Sequence, residues 1–293
     1  MIILLLIYPF QLFAQDYSWW NKIHNWDGVT SWTRYIEVSP GYMGPNALTV
    51  PEIRNGIIYN EIYFEAAFDA HISKGDNTQN IFVKFFYPFS KQKVAFEIQF
   101  IPWEHYKMTE KTRDERRARG YTGEGTTIGD IAFGTIIQIL KDRGKWPDIL
   151  FSANFKTASG GGFDNARYID APGYYFDVSF GKSYNIGHLK QNSIRPYCLL
   201  GFYAWQTNRT DNFQNDAFLY GAGIDFELNK LYITNQVGGY SGYMGNKDEP
   251  LVYRFKFIFE QRIINYKLEF QQGLHDFKYS TVRVSAMIKI LCK

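Results

Sequence analysis

Past its first sixteen residues the sequence has no run of the roughly 18 consecutive apolar residues that a membrane-crossing helix needs, which excludes helical spans from the rest of the chain. Cysteine is nearly absent. Cys198 and Cys292 are too few for a disulfide framework, and both are expected to be isolated buried thiols. Histidine is also scarce, at five residues. There is no His-Glu-x-x-His or Cys-x-x-Cys spacing, so no resident metal is expected. Gly160-Gly161-Gly162 lacks the Lys-Ser or Lys-Thr of a phosphate-binding loop, and no cofactor is expected. Charge of one sign is lacking too. A formal net charge of +3, without a long basic run, argues against nucleic acid as a partner.

Aromatic residues, in contrast, make up 18% of the chain, with 22 Tyr and 25 Phe, beside 25 Gly. This composition favours strands, turns and interfacial belts over helices. Mean hydropathy is −0.31 although 45% of residues are hydrophobic, as expected when apolar and polar residues alternate along strands. The alternation is plainest from Gly129 to Thr157. Ile131, Phe133, Thr135, Ile137 and Ile139 fall on one face of an extended chain, and Asp130, Ala132, Gly134 and Gln138 on the other. After a short charged turn, Ile149, Phe151, Ala153 and Phe155 oppose Ser152, Asn154 and Lys156. Such a hairpin, with an apolar face tall enough to cross a bilayer, is a unit of a membrane β-barrel.

Three regions follow. Residues 1–14 read as a secretory signal peptide, apolar and ending at Ala14, although no Lys or Arg precedes the apolar run. Residues 15–56 hold Trp19, Trp20, Trp26 and Trp32, four of the seven tryptophans, with Pro40, Pro45 and Pro51 breaking any central strand. So aromatic a segment is expected to fold against the periplasmic mouth or to enter the lumen as a plug. Residues 57–293 read as an all-β, antiparallel, up-and-down transmembrane β-barrel of about twelve strands, an even number as closure requires. The first strand is expected to begin at Ile57 and the last to end at Leu291. Connections should alternate between long outer loops, such as Trp103 to Thr126 and Ala158 to Pro172, and tight inner turns.

A lipid-exposed position must be apolar, whereas a lumen position need not be. On the first strand this rule turns Ile58, Ile62, Phe64, Ala66, Phe68 and Ile72 outward. Glu61, Glu65, Asp69 and His71 then point inward. The same rule puts Lys84, Glu97, Gln99, Asp130, Lys156, Asp177, Arg195, Asp225 and Glu227 in the lumen, with Arg254, Lys256, Glu260, Lys267, Glu269, Arg283 and Lys289. A lysine or arginine at the lipid midplane costs roughly 2 to 4 kcal/mol, so this sorting is hard to obtain by accident. A soluble sandwich or lipocalin would reverse it, with charges outside.

The chain resembles outer-membrane barrels of Bacteroidota-type bacteria in its Ala14-Gln15-Asp16 junction, in Ser39-Pro40-Gly41-Tyr42-Met43-Gly44-Pro45-Asn46-Ala47-Leu48 and in the strand Pro172 to Ser183. Gly129-Asp130-Ile131 followed by Lys156-Thr157-Ala158-Ser159-Gly160 is loosely similar to the barrel family named for the meta-pathway of phenol degradation. That resemblance implies a transport-related barrel and specifies no substrate. The end, Ile290-Leu291-Cys292-Lys293, departs from the terminal aromatic usual in such barrels.

These readings predict a protein of the cell outer membrane, a narrow channel or uptake barrel for small solutes, and not an enzyme. Its expected partners are outer-membrane lipid and lipopolysaccharide, the barrel assembly machinery and a small-molecule solute. A non-conducting structural or interaction barrel is the alternative. A lipid-modifying enzyme would need His71 to activate Ser73, a His-x-Ser pairing that a Lys74-Gly75 turn interrupts. The charges from Glu104 to Arg119 read as a solvated outer loop, or more sharply as arginines for lipopolysaccharide phosphates.

Overall fold

In the computed structural model, which describes residues 16–90, 93–186 and 192–290, period-two alternation becomes a closed antiparallel barrel. Its strands are β1 (Ile62–Ile72), β2 (Asp76–Phe89), β3 (Val94–Met108), β4 (Glu124–Thr127), β5 (Ala132–Leu140), β6 (Asp148–Lys156) and β7 (Gly173–Gly181). The second half comprises β8 (Tyr184–Asn185), β9 (Asn192–Gln206), β10 (Gln214–Leu228), β11 (Leu231–Ser241), β12 (Leu251–Phe259), β13 (Ile264–His275) and β14 (Ser280–Ile290). β4 and β5 pair with successive parts of β3, and β7 and β8 with successive parts of β9, so the wall has twelve staves. Each pairs with its neighbour in sequence, and β14 closes on β1 with Ala66 opposite Ala286 and Asp69 opposite Arg283. The signal-peptide residues, Leu291 and Cys292 lie outside the described residues.

The two faces differ as the alternation demands. On the outer face Phe64, Phe68, Ile72, Phe133, Ile137, Phe155, Leu268, Val284 and Ile288 are exposed, while the intervening Glu65, Asp69, Lys267 and Ser285 are buried inside. Cys198 is a correction. It is exposed on the outer face of β9 beside Leu200 and Phe202, because Tyr197 and Leu199 take the inward positions.

The first strand is shorter than its pattern suggests. β1 begins at Ile62, and Ile58 does not face outward but packs inside the barrel with Tyr63, Phe86, Ala95, Ile136 and Leu150. The reason is Gly56, whose φ of +88° turns the chain out of line before the strand starts. β3, in turn, runs six residues beyond Pro102, carrying Glu104 inward. The fourth stave is interrupted between β4 and β5, where Asp130 accepts from Lys156 Nζ at 2.6 Å and from the Gly160 N–H at 2.7 Å. Ile131 N–H donates to Ser159 Oγ at 3.0 Å, and Thr157 N–H returns to Ile131 O at 2.9 Å. The Gly-Asp-Ile and Lys-Thr-Ala-Ser-Gly segments are thus two halves of one clasp that bridges a broken stave.

Residues 16–61 take a path through the molecule. The helix α1 (Ser18–Ile23) and the turn at Trp32–Tyr35 lie over the barrel end that carries the long connections, not over the end with the tight turns. Trp20 Nε1 donates to Arg117 O at 2.9 Å, Asn208 Nδ2 to Ile36 O at 2.7 Å, and Gly44 N–H to Ala166 O at 2.8 Å. The chain then descends inside the wall. Ile36, Val38, Met43, Leu48, Val50 and Ile53 form a core with the inward Tyr197, Leu199, Tyr203, Trp205, Leu219 and Tyr240. At the far end Gln138 Nε2 donates to Gly56 O at 2.8 Å, and Ile58 N–H donates to Gln138 Oε1 at 3.0 Å, just before β1 starts.

A Cβ at Gly56 would stand 2.9 Å from Gly181 N and 3.0 Å from Asp148 O, both backbone atoms. Gly56→Val is therefore expected to destabilise the folded protein by about 1 to 3 kcal/mol. The check is the thermal midpoint in detergent, compared with that of Gly144→Val, at a glycine whose φ is also positive (+60°) but whose Cβ would meet nothing within 4 Å.

Candidate functional site in the barrel lumen

An ionised side chain turned away from an apolar outer face must find its counter-charge inside, and the lumen consists of such pairs. Toward the long connections they merge into one network. Asp76 Oδ2 accepts from Arg116 Nη1 at 2.7 Å, Arg167 Nη1 at 2.6 Å and the Tyr279 hydroxyl at 2.6 Å. Arg167 Nε also donates to Glu104 at 2.9 Å, and Glu104 accepts from the Tyr168 hydroxyl at 2.6 Å and from Asn46 Nδ2 at 2.8 Å. Asn46 reaches Asn80 Oδ1 at 3.0 Å, and Asn80 donates to Asp69, which Arg283 grips with two bonds of 2.6 and 2.7 Å. Burial works against the charge of Arg167, and Glu104 with Asp76 outweighs it, so its proton is held more tightly than that of a free arginine.

His71 belongs to this network. Its Nδ1 lies 2.7 Å from Thr281 Oγ1 and its Nε2 2.8 Å from Asn80 Oδ1, while Ser73 Oγ donates to Asp76 O at 2.9 Å within its own turn. Both ring nitrogens are engaged elsewhere, and Ser73 is committed to the turn.

Around the middle of the lumen the pairs are separate. Glu97 binds Lys84 at 2.8 Å and Arg54 at 2.5 Å; Lys267 binds Glu65 at 2.6 Å and stands 3.8 Å from Glu269. Asp177 accepts from Ser152. Arg195 lies opposite Asp225 in register, yet it bonds Asp148 at 2.8 Å and Asn55 O at 2.8 Å. Asp225 accepts instead from Asn55, Tyr197, Thr234 and Tyr232. Lys256 donates to Glu52, and Arg254 to Gln271 Oε1 at 2.6 Å, to Pro51 O at 3.0 Å and to Val50 O. Nearer the tight-turn end Glu61 pairs with Lys289 at 3.2 Å, Glu260 is half-buried, and the exposed Glu227 accepts from Ser193 at 3.1 Å. Between the descending N-terminal segment and the wall lies a cavity of ≈ 310 Å³, which reaches from His71 and Phe277 to Glu61, Glu260 and Lys289 and includes Gln99 and Lys156 in its lining.

Several members are invisible to alternation. Asp76 and Arg167 lie in or beside connections, Glu104 falls in the part of β3 read as a loop, and Asn46, Glu52, Arg54 and Asn55 come from the descending segment. The arginines of the Glu104 to Arg119 stretch are turned to the protein. Arg116 is in the network, Arg113 stacks on Trp19 at 4.4 Å, Arg119 on Tyr17 at 3.5 Å, and Arg117 donates to Tyr35 O at 3.0 Å. The only local hint is the density of tryptophan in residues 19–32, which supplies flat faces for guanidinium groups.

No protein-family model matches the chain, and no curated protein matches it in sequence. Among solved structures, an outer membrane channel from Pseudomonas putida F1 superposes with a TM-score of 0.58 at 7% identity, over 83% of this chain and 100% of that one. The NanC porin gives 0.48 at 10% identity, over 78% and 100%. The KdgM porin gives 0.44 at 8%, over 78% and 99%. The likeness to the Pseudomonas channel is one of fold.

Asp76→Ala would leave Arg116 and Arg167 charged and buried without their common acceptor, at a cost of about 3 to 5 kcal/mol. Urea unfolding in detergent should show that loss. The exposed ion pair of Arg209 with Asp211, broken by Asp211→Ala, should cost about 1 kcal/mol or less.

Proposed function

We propose that the protein is an outer-membrane channel for small polar solutes, with the lumen as its path and residues 16–61 as a strap that narrows it. The observation that carries this reading is the cavity of ≈ 310 Å³ held between a charged wall and a segment of the chain's own N-terminal part. Interiors are close-packed and buried charges are costly, so a cavity with charged side chains in its lining points to use and not to strength. The exposed apolar outer face and the fold shared with the Pseudomonas outer membrane channel support the location. On this reading outer-membrane lipid and lipopolysaccharide surround the belt, and the barrel assembly machinery inserts it. The clasp of Asp130 with Lys156 and Gly160 gives a structural task to the two segments that carry the loose resemblance to the meta-pathway barrel family. The strap and the engaged nitrogens of His71 favour a transport role over an enzymatic one.

Two measurements test the proposal. In planar bilayers the whole protein should pass ions in small steps, and Arg54→Gln with Asn55→Ala, which frees the strap from Glu97 and Asp225, should enlarge them. Folded, inserted protein that passes no ions in either form would mark a non-conducting structural barrel. Val284→Lys, at an outer position between Phe68 and Leu268, should cost roughly 2 to 4 kcal/mol of folding stability in lipid; an unchanged stability would place that face in water.

A further inference from the structure

The wall acids and the wall bases are unevenly matched. Lys84 has Glu97, Lys267 has Glu65 and Arg283 has Asp69, each pair formed between strands. Arg254 and Lys256 differ. They stand two residues apart on the inner face of β12, and among the described residues neither has a wall carboxylate within ion-pair distance. Glu269 is opposite Lys256 in register and acts on Arg254 through space, but its ion-pair partner among the described residues is Lys267, at 3.8 Å. The oxygens that satisfy the two cations are Gln271 Oε1 from the wall and three acceptors from the strap, namely Val50 O, Pro51 O and the Glu52 carboxylate. Arg254 and Lys256 are themselves buried, whereas the Glu52 side chain is 57% exposed to the cavity. Lys84 and Lys267 also act on that carboxylate through space.

We propose that Arg254 and Lys256 form a carboxylate-binding subsite on the channel path, and that Glu52 with its neighbouring carbonyls occupies it as an internal stand-in for an acidic solute. The proposal rests on the lumen being the solute path and adds the chemical class of the solute: a small organic acid whose carboxylate takes the place of the Glu52 side chain. A guanidinium beside an ammonium suits this task, since the first can bind an oxygen pair in its plane and the second adds an adjustable point charge. The cavity of ≈ 310 Å³ lies at the lower end of the volumes that enclose small ligands. Competition between strap and solute would couple occupancy to opening, since each carboxylate bound at β12 removes one anchor of the strap.

The test is equilibrium binding of gluconate by calorimetry to the whole protein in detergent, with glucose as the equally sized probe that lacks a carboxylate. Glu52→Gln weakens the internal competitor by about one charge-assisted hydrogen bond, so gluconate should bind this variant roughly tenfold more tightly than the unaltered protein. Glucose should bind neither. Adding Arg254→Gln or Lys256→Gln to Glu52→Gln should abolish the gain, with the folded state of each variant checked by circular dichroism. Equal binding of gluconate and glucose, no gain in Glu52→Gln, or a gain that survives loss of both cations would overturn the subsite. An absence of ion conductance together with the predicted binding pattern would instead sink the channel reading and leave a carboxylate-binding barrel.

Discussion

The arrangement depends on where a charge is allowed to be. When the outer face of a barrel is apolar, every carboxylate and guanidinium of the wall is confined to a space a few side chains wide, and solvent cannot screen it there as it would outside. Asp76, Glu104 and Asp69 meet Arg116, Arg167 and Arg283 in equal number, and the polar neighbours Asn46, Asn80, Tyr168 and Tyr279 take up the remaining valences. Such a network is demanding because each member is needed by at least one other. It holds the strap by Asn46 and the long connections by Arg116 and Arg167, so electrostatics and topology are joined in one place.

The strap adds a second kind of interior. Inward positions on β9, β10 and β11 carry Tyr197, Leu199, Tyr203, Trp205, Leu219 and Tyr240, an apolar set that water would not tolerate in an open pore. Ile36, Val38, Met43, Leu48, Val50 and Ile53 cover it. The lumen is therefore a hydrophobic core on one side and an ionic lattice on the other, with the cavity where the two meet.

Much of the wall was legible in the sequence because a strand reports its two faces residue by residue. The staves, their even number and the burial of residues such as Glu65 and Lys267 follow from alternation alone. The misreadings have physical causes. Ile58 continues the alternating pattern of β1 although Gly56 has already turned the chain, so periodicity could not separate lumen passage from strand. Cys198 sits in an almost unbroken apolar run from Tyr197 to Trp205, where alternation loses its meaning because both faces of β9 are apolar, the inner one buried and the outer one exposed. That run was itself a sign that something apolar lay inside. Arg167 was missed because it lies in a connection, which carries no period, and Asp76 and Glu104 because they stand at strand ends read as connections. For Arg254 and Lys256, sidedness is local information, but their dependence on Glu52 spans about two hundred residues of chain.

The route of the strap also limits the order in which the barrel can be built. Its tail, with α1 and the tryptophans, lies beyond one rim, while the strand it leads into starts at the other, and the seam between β14 and β1 runs alongside. A strap left outside until that seam had zipped would have to drag a helix and its bulky rings through a lumen already crowded with paired charges. Wrapping the wall around a resident strap avoids this, and makes the N-terminal segment a mandrel on which the cylinder is closed.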